Sequence, residues 1–122
     1  MSTATKVKVD RVGAAGGRVV SVLRFSGDIS SLSRDAVLGT WHQLPDDAKG
    51  RVLLDFSGVD YLNSSGIALV INMLMEARRG AHSVRLFGLR PHFQKMFRLV
   101  GITNYTELHP DEASALESFG AA

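Results

Sequence analysis

The residues that most constrain the fold are Arg51–Gly66, RVLLDFSGVDYLNSSG. Arg51–Phe56 is a short apolar run bounded by polar residues, the pattern of a buried strand. Ser57–Leu62 reads as a turn-rich connection, and Asn63-Ser64-Ser65-Gly66 opens an apolar segment that continues to Arg79. Asn and Ser are favoured at helix N-caps because their side-chain oxygens accept from the first unpaired N–H groups. The stretch therefore predicts a strand, a tight loop and a helix N-terminus carrying two hydroxyls. Such an N-terminus holds partial positive charge and free donors, so it tolerates an anion. A serine placed there is suited to gaining a phosphate.

The rest of the chain frames this corner. Lys6–Val12 alternates polar and apolar, Gly13–Gly17 is a turn signal, and Arg18–Phe25 is a second valine-rich run, which together predict an antiparallel hairpin. Gly16-Gly17 lacks the Lys-Ser/Thr ending of a phosphate-binding loop, and no helix follows it. Ser26–Ser31 is a polar break, after which Ser31 or Ser33 caps a helix over Arg34–Leu44 with Ala36, Val37, Thr40, Trp41 and Leu44 as its stripe. After the central strand comes a helix over Ser65–Arg79, closed by Gly80 at C′, with the basic Arg78 and Arg79 at its negative pole.

His82–Gly88 is another strand, and Pro91 starts a helix that ends at Gly101 with Phe93, Met96, Phe97 and Val100 on its inner face. Ile102–Leu108 holds a short edge strand, and Pro110-Asp111-Glu112 starts a last helix with Ala113, Leu116 and Phe119 inward. The order β-β-α-β-α-β-α-β-α predicts an α/β fold: one mixed sheet with an N-terminal hairpin, then alternating helices and strands joined by right-handed crossovers. Four helices should cover it unevenly. In open α/β sheets the working crevice lies beyond the carboxyl ends of the parallel strands, where Ser57–Gly66 falls.

The 122 residues fit a single domain, with residues 1–5 expected to fray. The absence of cysteine removes disulfides, thiolate metal sites and a cysteine nucleophile. The longest apolar stretch, Ile67–Met75, is broken by Asn72 and is too short to span a bilayer. The N-terminus lacks a signal-peptide core, so a cytoplasmic protein with no membrane insertion is expected. Net charge is only +2, but Arg78, Arg79, Arg85, Arg90, Lys95 and Arg98 stand against Glu76 in one stretch. These are read as solvated charges, no nucleic-acid motif is seen, and no nucleic-acid partner is expected.

Two function classes compete. A hydrolase using Ser64 or Ser65 would need a base and an orienting acid. Leu62 stands where a nucleophile elbow has its first glycine, and His42, His82, His92 and His109 are each read as surface or cap residues, with His82 and His92 not placed to serve the serine. Asp55 and Asp60 are read as turn formers. No metal-ligand spacing is found, and neither cofactor nor catalysis is expected. In a binding module, Gly66 would allow close approach by another backbone. A phosphate on Ser64 would add about −1.5 to −2 charges and act on a partner with little rearrangement of the fold. Residue types alone favour reading Ser64 as a plain helix cap, since a serine at an N-cap needs no further reason.

The run LLDFSGVDYLNSSGIALVINML resembles the STAS domain family of anti-sigma factor antagonists. Phe25-Ser26-Gly27-Asp28-Ile29-Ser30 resembles that family's segment after the second strand, while Val84–Leu89 and Met96–Ile102 resemble its later strand and helix end. The similarity spans nearly the whole chain in the right order. It implies a bacterial regulator of transcription that binds an anti-sigma factor/serine-protein kinase and so releases a sigma factor, with the phosphorylated serine falling on Ser64. It implies a docking edge made of Gly27, Asp28, Ser30, Ser57, Asp60, Asn63, Ser64, Ser65 and Gly66. Other members serve stressosome-like complexes or lipid-transport ABC systems, or end anion transporters. This chain has Asn63 and Ser30 where the family has aspartates, and both changes remove negative charge from one corner.

Overall fold

The computed structural model describes residues 4–120. Its strands are β1 (Lys6–Gly13), β2 (Val19–Ile29), β3 (Arg51–Leu62), β4 (Ser83–Phe87) and β5 (Glu107–His109). They form one five-stranded sheet in the order β1-β2-β3-β4-β5. β1 runs antiparallel to β2, and the remaining pairs are parallel. The helices are α1 (Thr40–Gln43), α2 (Ser64–Arg79), α3 (Pro91–Leu99) and α4 (Glu112–Gly120). The mixed α/β sheet with its opening hairpin is the architecture the alternation of patterns predicts.

The central strands are apolar on both faces because both faces are covered. The larger core joins Leu23, Phe25, Leu54 and Phe56 of the sheet to Trp41, Val70, Leu74 and Phe97 of the helical layer. Phe25 stacks on Phe56 at 5.4 Å, and Phe56 meets Phe97 edge-on at 6.2 Å. Burying each such side chain stabilises by about 1.5–3 kcal/mol. The smaller core, Val20, Val22, Leu53 and Phe87, takes Ala115 and Phe119 of α4. Ala115 therefore fills the inward place expected of Ala113, which is exposed.

Other local expectations shift. The helix expected over Arg34–Leu44 is assembled from a 3₁₀ turn, a π turn over Asp35–Gly39 and the single α-helical turn of α1. Its entry is capped by Ser30, whose side chain accepts from Leu32 N–H, while Ser33 Oγ accepts from Ser30 N–H. Gly80 is the C-cap of α2 with φ −87°, and Ala81, at φ 59°, takes the left-handed position. His82 N–H then closes on the Ala77 carbonyl at 2.9 Å. Of the segment expected to fray, residues 1–3 lie outside those described. Thr5 lies inside them, with its hydroxyl against the Asp28 carbonyl.

One ionic cluster joins the layers on the α4 side. Arg24 donates to Asp10 at 2.7 Å, Asp55 at 2.9 Å and Glu112 at 2.6 Å, linking β1, β2, β3 and α4. Its bonds to Glu112 and then Asp10 hold the guanidinium more firmly protonated than a free arginine. The same bond holds the Asp10 carboxyl below the usual carboxylate range, against a smaller opposing effect of burial.

Two outcomes follow from this packing. Gly66 is buried, and a Cβ there would lie 2.2 Å from the Ile29 carbonyl oxygen. Gly→Ala inside a helix normally stabilises by about 1 kcal/mol, but a backbone clash outweighs that. Gly66→Ala is expected to destabilise by about 2 kcal/mol, and unchanged or raised stability in urea would refute the close approach. Arg24→Met leaves Asp55, 8% exposed in its side chain, without its cation. The cost should be about 2 kcal/mol at pH 7, reduced from the fully buried case because Arg24 is partly exposed. Because folding lowers the Asp10 pKa, its contribution is present above the unfolded-state value and is lost as pH falls through the lower folded one. Urea titrations should show this acid limb flattened in Arg24→Met.

Candidate functional site

The ends of β2 and β3 lie side by side, with Gly27 opposite Val59, Asp28 opposite Tyr61 and Ile29 opposite Leu62. Segments that look like a polar break and a turn are thus extended strand. Register shifts near Ser26 and Gly27 absorb the extra residues. Gly27, with φ 84°, supplies a conformation that other residues rarely adopt. Beyond this pair, α2 begins.

Asn63 is its N-cap. The side-chain Oδ1 accepts from Gly66 N–H at 2.9 Å, and its own N–H donates to the Ile29 carbonyl at 3.3 Å. The backbone that approaches Gly66 is therefore that of Ile29 in the same chain. Ser64 and Ser65 are the first two helical residues and are both exposed. Their place at the helix N-terminus puts them beside backbone donors that have no intrahelical partner.

Ser64 borders two grooves. One, of about 620 Å³, is walled by Asp60, Tyr61, Asn63, Ser64, Arg90, His92 and Phe93. The other, of about 390 Å³, runs between α2 and α3 over Ile67, Ala68, Ile71, Met96, Leu99 and Val100. The second is almost wholly apolar, and Leu99 and Val100 are 78% and 51% exposed. Val100, expected on the inner face of its helix, instead stands on this outer wall. Leu32, 91% exposed, adds an apolar side chain in the turn after β2.

The structure gathers most of the expected docking residues and separates one. Gly27, Asp28 and Ser30 line the end of β2 beside Asn63 and Gly66. Asp60 lies in the groove with Ser64, paired to Arg90 at 3.1 Å. Ser57 is elsewhere. Five residues of strand lie between it and Asn63, a span of roughly 20 Å. Its hydroxyl donates to Asp55 at 2.6 Å, and Asp55 also receives Arg24.

His92, not expected to serve the serine, walls the same groove as Ser64. Arg90, expected as one of a run of solvated cations, walls it too. That run is dispersed: Arg78 lies over Tyr105 and Arg85 over Phe119, while Arg90 reaches Asp60. Among the described residues, no hydrogen bond joins Ser64 to a histidine or carboxylate, as an activated nucleophile requires. No helix among them is long and apolar enough to cross a membrane.

The fold and corner define a class, and the comparisons agree with it. The model of the family described as "Mlab, STAS domain" matches residues 12–110, and the chain belongs to the STAS domain family. The chain is 22% identical over 117 residues to BtrV of Bordetella bronchiseptica, provisionally named an anti-sigma factor antagonist, covering 96% of this chain and 97% of that one. An anti-sigma factor antagonist from Mycobacterium paratuberculosis superposes with a TM-score of 0.77 at 19% identity, over 95% of this chain and 96% of the other. SpoIIAA of Bacillus in its phosphorylated form gives a TM-score of 0.60 at 18% identity, over 89% and 96%. The unphosphorylated form of SpoIIAA gives 0.61 at 17% identity, over 89% and 92%.

The cap is directly testable. Asn63→Ala removes the acceptor of Gly66 N–H and is expected to cost about 1 kcal/mol. Asn63→Asp keeps the acceptor and adds charge at the favourable pole, so it should melt at or slightly above the parent. If Asn63→Ala melts with the parent, the cap contributes nothing.

Proposed function

We propose that the chain is a non-enzymatic anti-sigma factor antagonist that binds an anti-sigma factor/serine kinase and is switched by phosphorylation of Ser64. The observation that carries this reading is the position of Ser64. It is exposed, at the first turn of α2, on the rim of the apolar groove between α2 and α3. An exposed apolar groove is suited to a protein partner. A charged group at its rim would oppose burial of that surface, since an unpaired charge resists removal from water. The fold should survive the change, because the α2 N-terminus accepts negative charge and its anchor is the buried contact of Gly66 with Ile29. The antagonists named among its relatives, and the phosphorylated form known for SpoIIAA, support the reading by analogy.

The docking edge proposed is Gly27, Asp28, Ser30, Asp60, Asn63, Ser64 and Ser65 with the groove beyond, while the buried Gly66 supports it from within and Ser57 lies outside it. The reaction breaks the bond between the γ-phosphorus of ATP and its bridging oxygen, joins that phosphorus to Ser64 Oγ, and releases ADP and the hydroxyl proton. Incubation with candidate kinases and ATP should add a single phosphate at Ser64 by mass spectrometry. Ser64→Asp should bind the kinase at least tenfold more weakly by calorimetry while its melting temperature stays within a degree or two of the parent. Equal binding by Ser64→Asp would refute the switch.

A second reading is favoured by Asn63 and Ser30, which leave the corner without the two carboxylates typical of the switched members. It makes the chain a subunit of another assembly, stressosome-like or a lipid-transport ABC complex. Co-purification from native cells separates the two, since a small ATP-binding kinase and an ABC-type ATPase differ plainly in mass and sequence.

A further inference from the structure

The groove beside Ser64 has a charge arrangement that the switch reading does not use. Among its lining residues, Asp60 is the single carboxylate, and it is already engaged by Arg90. His92, in the first turn of α3, faces the same space. Arg90 and Asp60 are both more than half exposed in their side chains, so this pair holds the guanidinium only weakly. Asn63, next to Ser64, carries no charge and spends its side-chain oxygen on Gly66 N–H. The groove thus offers a cation on a loose tether and a histidine, with Asp60 as the one carboxylate among its lining residues.

We infer that Arg90, assisted by His92, forms an internal receiving site for a phosphomonoester on Ser64. The inference rests on the proposed phosphorylation and deepens it. A phosphate dianion outcompetes the Asp60 monoanion, because it carries more charge and presents oxygens that match both arms of a guanidinium. Arg90 then leaves Asp60 and reaches across the groove to the start of α2. The bridge ties α2 to the entry of α3 over Phe93 and Met96. Phosphorylation therefore closes the surface beside Ser64 as well as charging it. His92 adds a second donor through a ring N–H, which an imidazole carries whether neutral or charged.

The test installs phosphoserine at position 64 by genetic encoding, so no kinase is needed, and follows its second ionisation by phosphorus NMR. The groups facing the phosphate are Asp60 from β3, Arg90 ahead of α3 and His92 from α3. In the parent the second pKa should lie below the usual phosphoserine value of about 6. It should rise by about half a unit in Arg90→Ala, rise less in His92→Gln, and fall further in Asp60→Asn, which removes the competitor. Lys95→Ala, which alters an exposed cation on α3 outside the groove, should leave it unchanged. Equal values in the parent and Arg90→Ala overturn the inference. So does an equal rise in Lys95→Ala, which would assign the effect to general charge. Failure here leaves the switch reading standing, and absence of native phosphorylation at Ser64 sinks that reading without altering the titration.

Discussion

Everything at the functional corner depends on how closely α2 begins against the end of β2. The Ile29 carbonyl occupies the space a side chain would need at position 66, and it also accepts the Asn63 N–H. One oxygen thus sets both the last link of the β2–β3 pair and the depth at which the helix starts. With Gly66 and Ile67 turned inward by this contact, Ser64 and Ser65 are left on the outside. Their exposure is a consequence of the backbone junction, and it needs no loop of its own. Asn63 completes the arrangement by bonding Gly66 N–H, so the helix start is satisfied from within.

This arrangement separates what holds the corner from what faces outward. The junction is backbone and buried; Ser64, Asp60, Arg90 and His92 are side chains in contact with water. A covalent change on Ser64 meets no packed atom that must move. Stability and the proposed switch therefore depend on different atoms a few residues apart. The opposite side of the sheet shows the contrary design. There Arg24 ties four elements by its charge, and α4 lies on a small apolar core above it. Ser57 belongs to that side through Asp55, which explains why a residue so near in sequence stands apart from Ser64 in space.

The fold was legible because its signals were periodic: apolar runs for strands, 3.6-residue stripes for helices, and Pro and Gly at their limits. The misreadings share a cause. Ser26–Ile29 and Ser57–Leu62 contain Gly, Ser and Asp, which locally favour turns, but each is held extended by the other across the sheet. Pairing between distant segments overrides local preference, and a single strand read alone does not reveal it. The left-handed conformation falls on Ala81, where intrinsic preference points to Gly80, and the His82 ring lies where a Cβ at position 80 would stand, so it would have to shift to admit one. The serine at the α2 N-terminus was legible from cap chemistry. The groove around it was not, since Arg90 and His92 come from an element that starts more than twenty residues later.

The neutral side chains at positions 63 and 30 bear on how such a corner handles negative charge. An aspartate next to Ser64 would cap the helix as well as asparagine does, but it would stand beside any phosphate as a like charge. It would also compete for the guanidinium of Arg90, as Asp60 does. With Asn63 the cap is kept and the competition is limited to one exposed, weakly held carboxylate. With Ser30 the turn after β2 is capped by a hydroxyl that is bonded within its own turn. In the groove beside Ser64, the helix donors and Arg90 favour an anion, and Asp60 opposes it. On the proposed reading, a phosphate on Ser64 would therefore meet fewer like charges at this corner than aspartates at positions 63 and 30 would present.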